Sequence, residues 1–487
     1  MTTLLLIGFA HQAREWEREL IRALEAADFR VQLKLVEQIA ARPTPLDTIL
    51  RFEKRKFGRS SASAGAPLSP SIQSLPVGDQ TAAADLAIDL TGTAAPCALP
   101  TLTLRIGSAM RLEDGLQRLR TLSSVPDVIA CLDGRPVAVA RPMLSDKVWL
   151  SRDCNDVLIA CQNLIIHCVK RFAAGQLLPV DAPPVQKAVR PFYLGYGLQL
   201  LRGLAKRAMR KLKPGSRPFY WQTGYRLIDG PGVAESLKLD GKPFTLLPDD
   251  GETFYADPFA FEHEGRLFLF VEEFPYALGR GILSVTELSA DGTFGRPRPV
   301  LEEPHHLSYP NVFERDGEIF MIPESGAANE VVLYRAERFP DTWVRDTVLL
   351  QGICFNDATL LERDGRLWMF GTEYFGKGSG ADTLMIFSAT NLRGPWLPHC
   401  FNPILIDRAG ARPGGRFIEK DGRTFLPVQD GTLKYGGGLG LREVIRLDEG
   451  DVVLGPIRPV EAGPAWHGAG THTLTRSGRL EIIDSAP

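Results

Sequence analysis

The chain has 487 residues, and because single hydrophobic cores usually stop growing at roughly 250 to 300 residues, two domains are expected. Its hydrophobic fraction of 44%, charged fraction of 23% and net charge of −2 predict a soluble globular protein, and they exclude the overall basic excess of nucleic-acid-binding domains. The seven cysteines are scattered and include no CxxC pair, which indicates reduced thiols rather than a disulfide framework.

Residues 1–175 alternate short apolar runs with amphipathic helices, a pattern that predicts an α/β domain. The first apolar run has no basic residue before it and no cleavage site after it, so it predicts a buried strand rather than a signal peptide. No stretch approaches the roughly 20 apolar residues of a membrane span, and the expected location is therefore the cytoplasm. The expected elements are strands at Leu4–Ile7, Val31–Val36, Asp85–Leu90 and Leu102–Ile106, helices at Glu15–Ala26 and Asn155–Ala174, a hairpin through DGRPVAVARP, and a loop over Arg59–Pro76.

This order of elements, with DLAIDLTG at the place of a core strand, resembles the N-terminal domain of formyltransferases. Such proteins use an Asn, a His in an HxSLLP-type motif and a later Asp, whereas the comparable region here, TLTLRIGSA, has neither the His nor the motif. The resemblance therefore implies a degenerate scaffold or docking domain, with formyl or acyl transfer to an amino sugar as an alternative. Because LLIGFAHQ holds one glycine where a dinucleotide fingerprint needs three, no nucleotide cofactor is predicted.

A basic connector follows at residues 176–217, and its part 186–217 contains nine Lys or Arg and no acidic residue. Apolar residues recur there at helical spacing and basic residues occupy much of the remaining circumference. The apolar set is Leu198, Leu201, Leu204, Ala205, Ala208, Met209 and Leu212, and the basic set is Arg202, Lys206, Arg207, Arg210 and Lys211. Such a helix suits peripheral contact with the anionic inner face of a membrane, or it docks its leucine face between the domains; both interpretations stay open. Aromatic residues are not interleaved with the charges, which argues against nucleic acid.

Residues 218–487 repeat one pattern of two β-rich runs around a tight turn that ends in glycine. The five copies predict a five-bladed β-propeller, because each interval is long enough for a four-stranded blade. The last copy stops after two strands, and FYWQTGYRLI and KPFTLLP before the first copy are expected to complete that blade and close the ring. The five turn glycines are Gly265, Gly317, Gly365, Gly422 and Gly478.

The innermost strands of a propeller start near its axis, so residues at that repeat position are expected to converge on one funnel. The set eight residues before each turn glycine is Asp257, Tyr309, Asp357, Gly414 and Gly470, with the neighbours Asn311, Asn356, Arg412, Arg416, His467 and His472. A second, acidic position follows each second strand and comprises Glu273, Glu324, Glu373, Asp430 and Asp484. Most of these acids, Asp484 especially, are expected to fix loops, while Arg412 and a nearby His suit hydroxyl or anion binding. The histidines are interpreted as hydrogen-bonding or packing groups, and no metal is predicted.

The stretch HLSYPNVFERDGEIFMIPESG, with YADPF before it and GPW and ARPGGRFIEKDGRTFLPVQD after it, resembles the N-terminal propeller domain of glucosamine inositolphosphorylceramide transferases. In plants that domain is joined to a separate glycosyltransferase domain, so the resemblance does not extend to the transferase activity. The propeller also resembles five-bladed glycoside hydrolases of the family 43 type, which implies that Asp257 in ADPF is a general base. This chain departs from that pattern at Tyr309, Pro310 and Asn311, where an orienting Asp is expected, and at Asp357, which replaces a Glu.

The leading hypothesis is a propeller of surface-glycan or glycolipid assembly that binds a sugar, a nucleotide sugar or a glycolipid headgroup and processes a glycoside. Glycosidic cleavage needs one protonated and one ionised carboxyl group, and Asp257 paired with Asp357, Glu324 or Glu373 supplies such a pair. The expected binding residues are Glu273, Tyr309, Asn311, Asn356, Arg412, Arg416, Asp430, His467 and His472. The alternative is a non-catalytic sugar-binding module or scaffold.

Overall fold

A computed structural model describes residues 1–9, 15–36, 44–58, 84–93, 98–184, 186–212, 220–375, 378–468 and 470–486. The chain divides into two compact units, Met1–Ser216 with Phe375–Ser379, and Arg217–Tyr374 with Gly380–Pro487. The loop predicted at Arg59–Pro76 lies outside the described residues. Across the described ranges, no helix combines the length and the hydrophobicity needed to cross a membrane.

The first unit is built on a six-stranded mixed sheet with helices between its strands. Its strands are β1 (Thr3–Phe9), β2 (Arg30–Val36), β3 (Leu86–Asp89), β4 (Thr101–Ile106), β5 (Val128–Leu132) and β6 (Arg135–Ala140), and its helices are α1 (Glu15–Ala26), α2 (Pro45–Phe57), α3 (Leu112–Thr121), α4 (Leu150–Ala173) and α5 (Phe192–Leu212). The strand order is β2-β1-β3-β4-β5-β6, parallel as far as β4 and antiparallel at β5 and β6. The α/β layering follows the alternating pattern, whereas the likeness to formyltransferases stays a prediction.

Helix α4 begins at Leu150 rather than at the predicted Asn155, and the reason lies in a distant residue. Glu53, on the unpredicted helix α2, is fully buried, and its carboxylate accepts hydrogen bonds from the backbone N–H groups of Leu150 at 2.9 Å and Ser151 at 3.0 Å. A carboxylate at a helix N-terminus satisfies free N–H groups and stabilises the helix dipole. The N-terminal cap of α4 therefore comes from another element and has no local signal.

The second unit contains five antiparallel sheets, four with four strands and one with five, which confirms the predicted five-bladed propeller. Its strands are β7 (Gln222–Leu227), β8 (Thr245–Leu246), β9 (Thr253–His263), β10 (Arg266–Pro275), β11 (Ile282–Glu287), β12 (Arg298–Leu301), β13 (Ser308–Arg315), β14 (Glu318–Glu324), β15 (Glu330–Arg338), β16 (Thr342–Gln351), β17 (Phe355–Arg363), β18 (Arg366–Glu373), β19 (Thr383–Ala389), β20 (Leu397–Pro398), β21 (Leu405–Ile406), β22 (Ile418–Lys420), β23 (Arg423–Gln429), β24 (Leu439–Leu447), β25 (Val452–Pro459), β26 (Thr471–Ser477) and β27 (Leu480–Ser485), with a short helix α6 (Val233–Ser236). The blades are β9 to β12, β13 to β16, β17 to β20, β22 to β25, and β26-β27-β7-β8, with β21 paired to β19.

The last blade joins the two ends of the propeller sequence, because β27 pairs antiparallel with β7 and β7 pairs with β8. A buried ion pair fixes this junction: Nε of Arg226 lies 2.7 Å from Oε2 of Glu481, and its Nη1 donates to the carbonyl oxygens of Asp240 and Lys242. Oε1 of Glu481 accepts a hydrogen bond from the N–H of Val233 at 2.8 Å. The pair is almost fully hydrogen-bonded, as a buried charge requires.

A repeated backbone distortion directs residues toward the propeller axis. Asp257, Tyr309 and Asp357, which occupy equivalent places near the start of β9, β13 and β17, have positive φ angles of 47°, 48° and 54°. The pairing of each of these strands with its neighbour is irregular at this point. A β-bulge of this kind turns a side chain out of the regular alternation, so it re-aims the residue that carries it. The sequence spacing from the turn glycines therefore identified a structurally distinct position.

Replacing Glu481 by Ala should reduce the unfolding free energy of the propeller by about 3 kcal/mol or more, because it leaves the buried guanidinium of Arg226 without its carboxylate. The matched control is Glu287→Ala, which removes the partner of Arg266 from an exposed cross-strand ion pair and should cost less than about 1 kcal/mol. Differential scanning calorimetry of the full chain measures both variants. Equal losses would show that the pair does not hold the last blade.

Candidate functional site

A histidine is held between two carboxylates where the first and last blades meet. Nδ1 of His472 lies 2.7 Å from Oδ1 of Asp484, and its Nε2 lies 3.2 Å from Oδ1 of Asp257. Asp484 also accepts hydrogen bonds from the backbone N–H groups of Asp257 and Thr473, each at 2.9 Å. Burial acts to lower the pKa of His472, but Asp484 and Asp257 outweigh it and raise the pKa to about 10. His472 is therefore an imidazolium at neutral pH.

Two aromatic rings cover this imidazolium. The ring of Trp221 stacks on His472 with centroids 4.0 Å apart, and the ring of Tyr435 contacts it edge-on at 5.8 Å. Trp221 is buried, whereas Tyr435 is 42% exposed. Aromatic faces stabilise a cation that lies over them. Tyr435, in the loop between β23 and β24, was not singled out in the sequence, because it has no equivalent in the repeat.

A second polar cluster joins the middle blades. Arg412 binds Asp357 through Nε at 2.6 Å and Nη2 at 3.0 Å, and the same Nη2 lies 3.0 Å from Oε2 of Glu324. Gln429 donates a further hydrogen bond to Asp357 at 2.7 Å. Burial works against the charged guanidinium, but Asp357, Tyr435 and Glu324 raise the pKa of Arg412 well above its usual value. Arg412 is thus a permanent cation whose guanidinium is already bonded to two carboxyl groups, and its expected role in hydroxyl or anion binding stays a prediction.

Glu272 is a buried carboxyl group near Asp257 that the sequence interpretation passed over in favour of Glu273. The register pairs Glu272 with Ala256, directly before Asp257, just as it pairs Glu324 with Ser308, directly before Tyr309. Burial raises the pKa of Glu272 well above its usual value, and the charges of Asp257 and Glu324 raise it further. The repeat alone could not distinguish two adjacent glutamates, since only the strand register does so.

The pKa of Asp257 is shifted in the opposite direction to that of Glu272. Burial acts to raise the pKa of Asp257, but His472, Arg412 and His306 together hold it below its usual value. His306 also faces Glu272, with Nε2 3.5 Å from Oε1, while its Nδ1 accepts a hydrogen bond from the N–H of Gly281 at 2.8 Å. The pKa values of Asp257 and Glu272 are therefore displaced in opposite directions within one electrostatically coupled set.

Three of the predicted binding residues hold the backbone together instead of presenting free polar groups. The hydroxyl of Tyr309 contacts Oγ1 of Thr359 at 2.8 Å and accepts a hydrogen bond from the N–H of Gly415 at 2.8 Å. Asn311 donates to the carbonyl oxygen of Ala358 at 3.1 Å, and Asn356 donates to those of Thr372 and Gly380. Their side chains link adjacent blades or neighbouring strands.

The remaining acidic positions do not share one environment. Oε2 of Glu273 accepts a hydrogen bond from Ser284 at 2.5 Å, so this side chain is directed away from Glu272. Asp430 accepts from the N–H of Thr432 at 2.8 Å and caps its loop. Glu373 ends β18, and burial raises its pKa to about 7. Of these three, Glu373 alone keeps a carboxyl group suited to proton transfer near neutral pH.

Arg416 and His467 do not join the buried cluster. The guanidinium of Arg416 stacks over Phe259 at 5.6 Å and Phe261 at 5.8 Å, and it lines a cavity of about 620 Å³ together with residues such as Glu235 and Arg476. Burial lowers the pKa of Arg416 to about 10. His467 is exposed in the segment between β25 and β26.

Asp257, His472 and Asp484 each bring one potential ligand atom within 4.8 Å of the others, which raises the question of a metal ion. Both ring nitrogens of His472 face carboxylates, and a pKa of about 10 keeps both protonated. A protonated imidazole has no lone pair for a cation. In the structure described here, the three residues are therefore paired with one another.

The second unit is a five-bladed propeller in which buried ionisable side chains of several blades form coupled clusters. Residues 249–480 match the family model described as "Glucosamine inositolphosphorylceramide transferase 1, N-terminal".

Curated relatives match up to about half of the chain. The glucosamine inositolphosphorylceramide transferase 1 of Oryza sativa subsp. japonica is 33% identical over 245 residues, which is 47% of this chain and 33% of the relative. The Arabidopsis thaliana protein of that name is 34% identical over 187 residues, 38% of this chain and 24% of the relative. The chain thus spans about a third or less of these relatives.

Solved structures with a similar arrangement include two glycoside hydrolases. A family 117 enzyme of Zobellia galactanivorans has a TM-score of 0.36 at 10% identity and covers 55% of this chain and 90% of its own. An exo-beta-1,3-galactanase from Clostridium thermocellum has a TM-score of 0.36 at 11% identity and covers 49% of this chain and 59% of its own.

The imidazolium of His472 makes a pH-dependent contribution to stability. Its pKa rises from an ordinary 6.5 to about 10 on folding, so the stabilisation is fully present below pH 6.5 and is lost as the pH rises through 10. The melting temperature of the native protein should therefore exceed that of His472→Gln most at pH 6, and the difference should shrink toward pH 10. The exposed His467→Gln is the control and should follow the native profile. A His472→Gln difference that stays constant over this range would contradict the ion-pair assignment.

Proposed function

We propose that the propeller funnel binds a sugar-containing ligand and acts on a glycosidic bond, with Asp257 as the base or nucleophile and Glu272 as the acid. The observation that carries this proposal is the opposite displacement of their two pKa values within one cluster. Acid and base roles in enzymes are commonly set by environments that push two carboxyl groups apart in this way. Glycosidic bond cleavage uses such a pair.

This assignment replaces the acid expected from the sequence. Glu324 shares Nη2 of Arg412 with Asp357, and Asp357 also binds Gln429, so both carboxyl groups are engaged in positioning Arg412. Glu272, whose pKa lies well above its usual value, is on the strand next to that of Asp257. Glu373, with a pKa of about 7, is the second candidate for the acid.

The charge of the funnel favours a neutral or cationic sugar over an anionic one. Asp257, Asp484 and Glu324 supply three carboxyl groups against the two cations His472 and Arg412. Asp357 adds a fourth carboxyl group, although burial raises its pKa well above the usual value. An excess of acceptors binds hydroxyl or ammonium groups and repels phosphate. The half-exposed ring of Tyr435 offers an apolar face beside these groups for a sugar ring. A hexosamine unit, the sugar in the printed name of the relatives, has both hydroxyls and an amine. If the ligand is a nucleotide sugar or a glycolipid headgroup, we expect its phosphate to lie away from these carboxyl groups.

A non-catalytic sugar-binding module is the second candidate. Asp357 stands where family 43-type glycoside hydrolases have their acid. Both oxygens of its carboxyl group are already hydrogen-bonded to Arg412 or Gln429, which favours this candidate. The two candidates differ in what the loss of one carboxylate does to turnover and to binding.

Asp257→Asn should reduce turnover of a hexosaminide or a related glycoside by about a hundredfold or more, while sugar binding changes only a few-fold, because the amide keeps the shape and loses the base. Glu272→Gln should give a similar loss and remove the alkaline limb of the pH–rate profile. The control is Asp229→Asn, whose side chain is 81% exposed. Turnover and calorimetric titration of the full chain against a panel of glycosides measure these effects.

The outcomes separate the two candidates. Sugar binding without turnover in the native protein, lost on Asp257→Asn and kept on Asp229→Asn, would assign the funnel to binding alone. Turnover that survives both Asp257→Asn and Glu272→Gln would rule out the proposed acid–base pair.

A further inference from the structure

Helix α5 packs on the first unit through a face made of small and polar residues. Gly195 and Gly203 allow the close approach, since a Cβ would lie 1.7 Å from the carbonyl oxygen of Arg120 at the first and 2.5 Å from Cγ2 of Val148 at the second. Along the same face, Gln199 donates to the carbonyl oxygen of Lys147 at 2.6 Å. These contacts fix which side of the helix is covered.

Two further contacts lock the rotation of α5 about its axis. Both oxygens of Asp146 lie 2.9 Å from Nη2 of Arg207, and the guanidinium of Arg207 lies over the ring of Trp149. Tyr196, one turn from Gln199, is buried. Arg207 therefore belongs to the covered face, and not to the outward basic set expected from the sequence.

The opposite face of α5 exposes an apolar stripe. A helix advances about 100° per residue, so positions 194, 198, 201, 205, 208 and 209 lie within about a third of the circumference, opposite to Gly195, Gln199 and Gly203. The larger members of this stripe are Leu194, Leu198, Leu201 and Met209, which are 54%, 36%, 68% and 60% exposed. Within the first unit, the leucine face of α5 is therefore not the packed face.

Basic residues border the apolar stripe. Arg202 and Lys206 are exposed on one flank, and the sequence from 186 to 217 contains nine Lys or Arg without one Asp or Glu. A partner for this face must accept apolar side chains and also supply negative charge. A second copy of the helix would bring like charges together across a two-fold axis, which is unfavourable.

We propose that the outward face of α5 binds an anionic lipid surface. The helix would lie in the plane of the interface, with the leucines and Met209 at the boundary between headgroups and acyl chains and with Arg202 and Lys206 on lipid phosphates. Leu178, Val180 and Val189, which precede the helix in the sequence, are also exposed, at 70%, 43% and 58%. This inference is independent of the chemistry in the propeller.

The test is sedimentation of the full chain with vesicles of phosphatidylcholine alone or with about a third phosphatidylserine. Each vesicle type is used at low salt and at about 0.5 M salt, where the Debye length is roughly half of its value at physiological ionic strength. The native protein should bind the anionic vesicles at least about tenfold more strongly than the neutral ones, and added salt should weaken this binding. Binding to anionic vesicles should fall about tenfold or more in the double variant Leu198→Ser with Leu201→Ser, because the apolar area that enters the lipid is removed. It should fall by a similar factor in Arg202→Ala with Lys206→Ala, because two positive charges are removed.

Two matched controls separate the helix from a general surface effect. Leu433→Ser replaces a 78% exposed leucine in the propeller, and Lys238→Ala removes an exposed charge there; both should bind like the native protein. The four replaced α5 residues are exposed, so their melting temperatures should stay near the native value. Equal recovery in the supernatant with both vesicle types, or binding unaffected by the α5 variants, would overturn the proposal. Concentration-dependent dimerisation lost on Leu198→Ser with Leu201→Ser, without lipid binding, would instead assign the face to self-association.

Discussion

A cation buried between two carboxylates joins the first and last blades of the propeller. The imidazolium of His472 contacts Asp484 of its own blade and Asp257 of the first blade, and Asp484 in turn holds the backbone of Asp257. Closure of the ring and ionisation of Asp257 thus depend on the same group. The negative charge of Asp257 in turn helps to raise the pKa of Glu272. The difference in pKa between these two carboxyl groups therefore depends on the contact that closes the ring.

The five-bladed ring could be predicted from the sequence because its signals are local and repeated. Turn glycines with DG or EG dipeptides mark hairpins by their need for positive φ, and the unpaired strands before the first repeat indicate how the last blade is completed. The identity of the funnel acid could not be predicted in the same way. Glu272 and Glu273 are adjacent, and a bulge opposite them decides which one turns inward. The sequence placed Arg412 among the expected binding residues. It could not show that the guanidinium is already hydrogen-bonded to Asp357 and Glu324, because these residues come from different blades.

The first unit shows the same limit in its helices. The start of α4 depends on Glu53, which lies nearly a hundred residues earlier and has no sequence pattern that connects it to Leu150. For α5, periodicity correctly separates an apolar from a basic side but does not say which side packs on the protein. Gly195 and Gly203 carry that information, because close packing of a helix against backbone or a branched side chain tolerates no Cβ there.

The last blade combines strands from both ends of the propeller sequence, and this constrains how the chain can fold during synthesis. Strand β7 is made near the start of the propeller and its partner β27 near the end, so β7 waits for more than 250 residues of translation before its neighbour exists. Until then the ring has two unpaired sheet edges and an Arg226 without Glu481. The four intervening blades can form as they emerge from the ribosome, but the funnel, whose histidine lies on the last blade, is completed only when the final strands arrive.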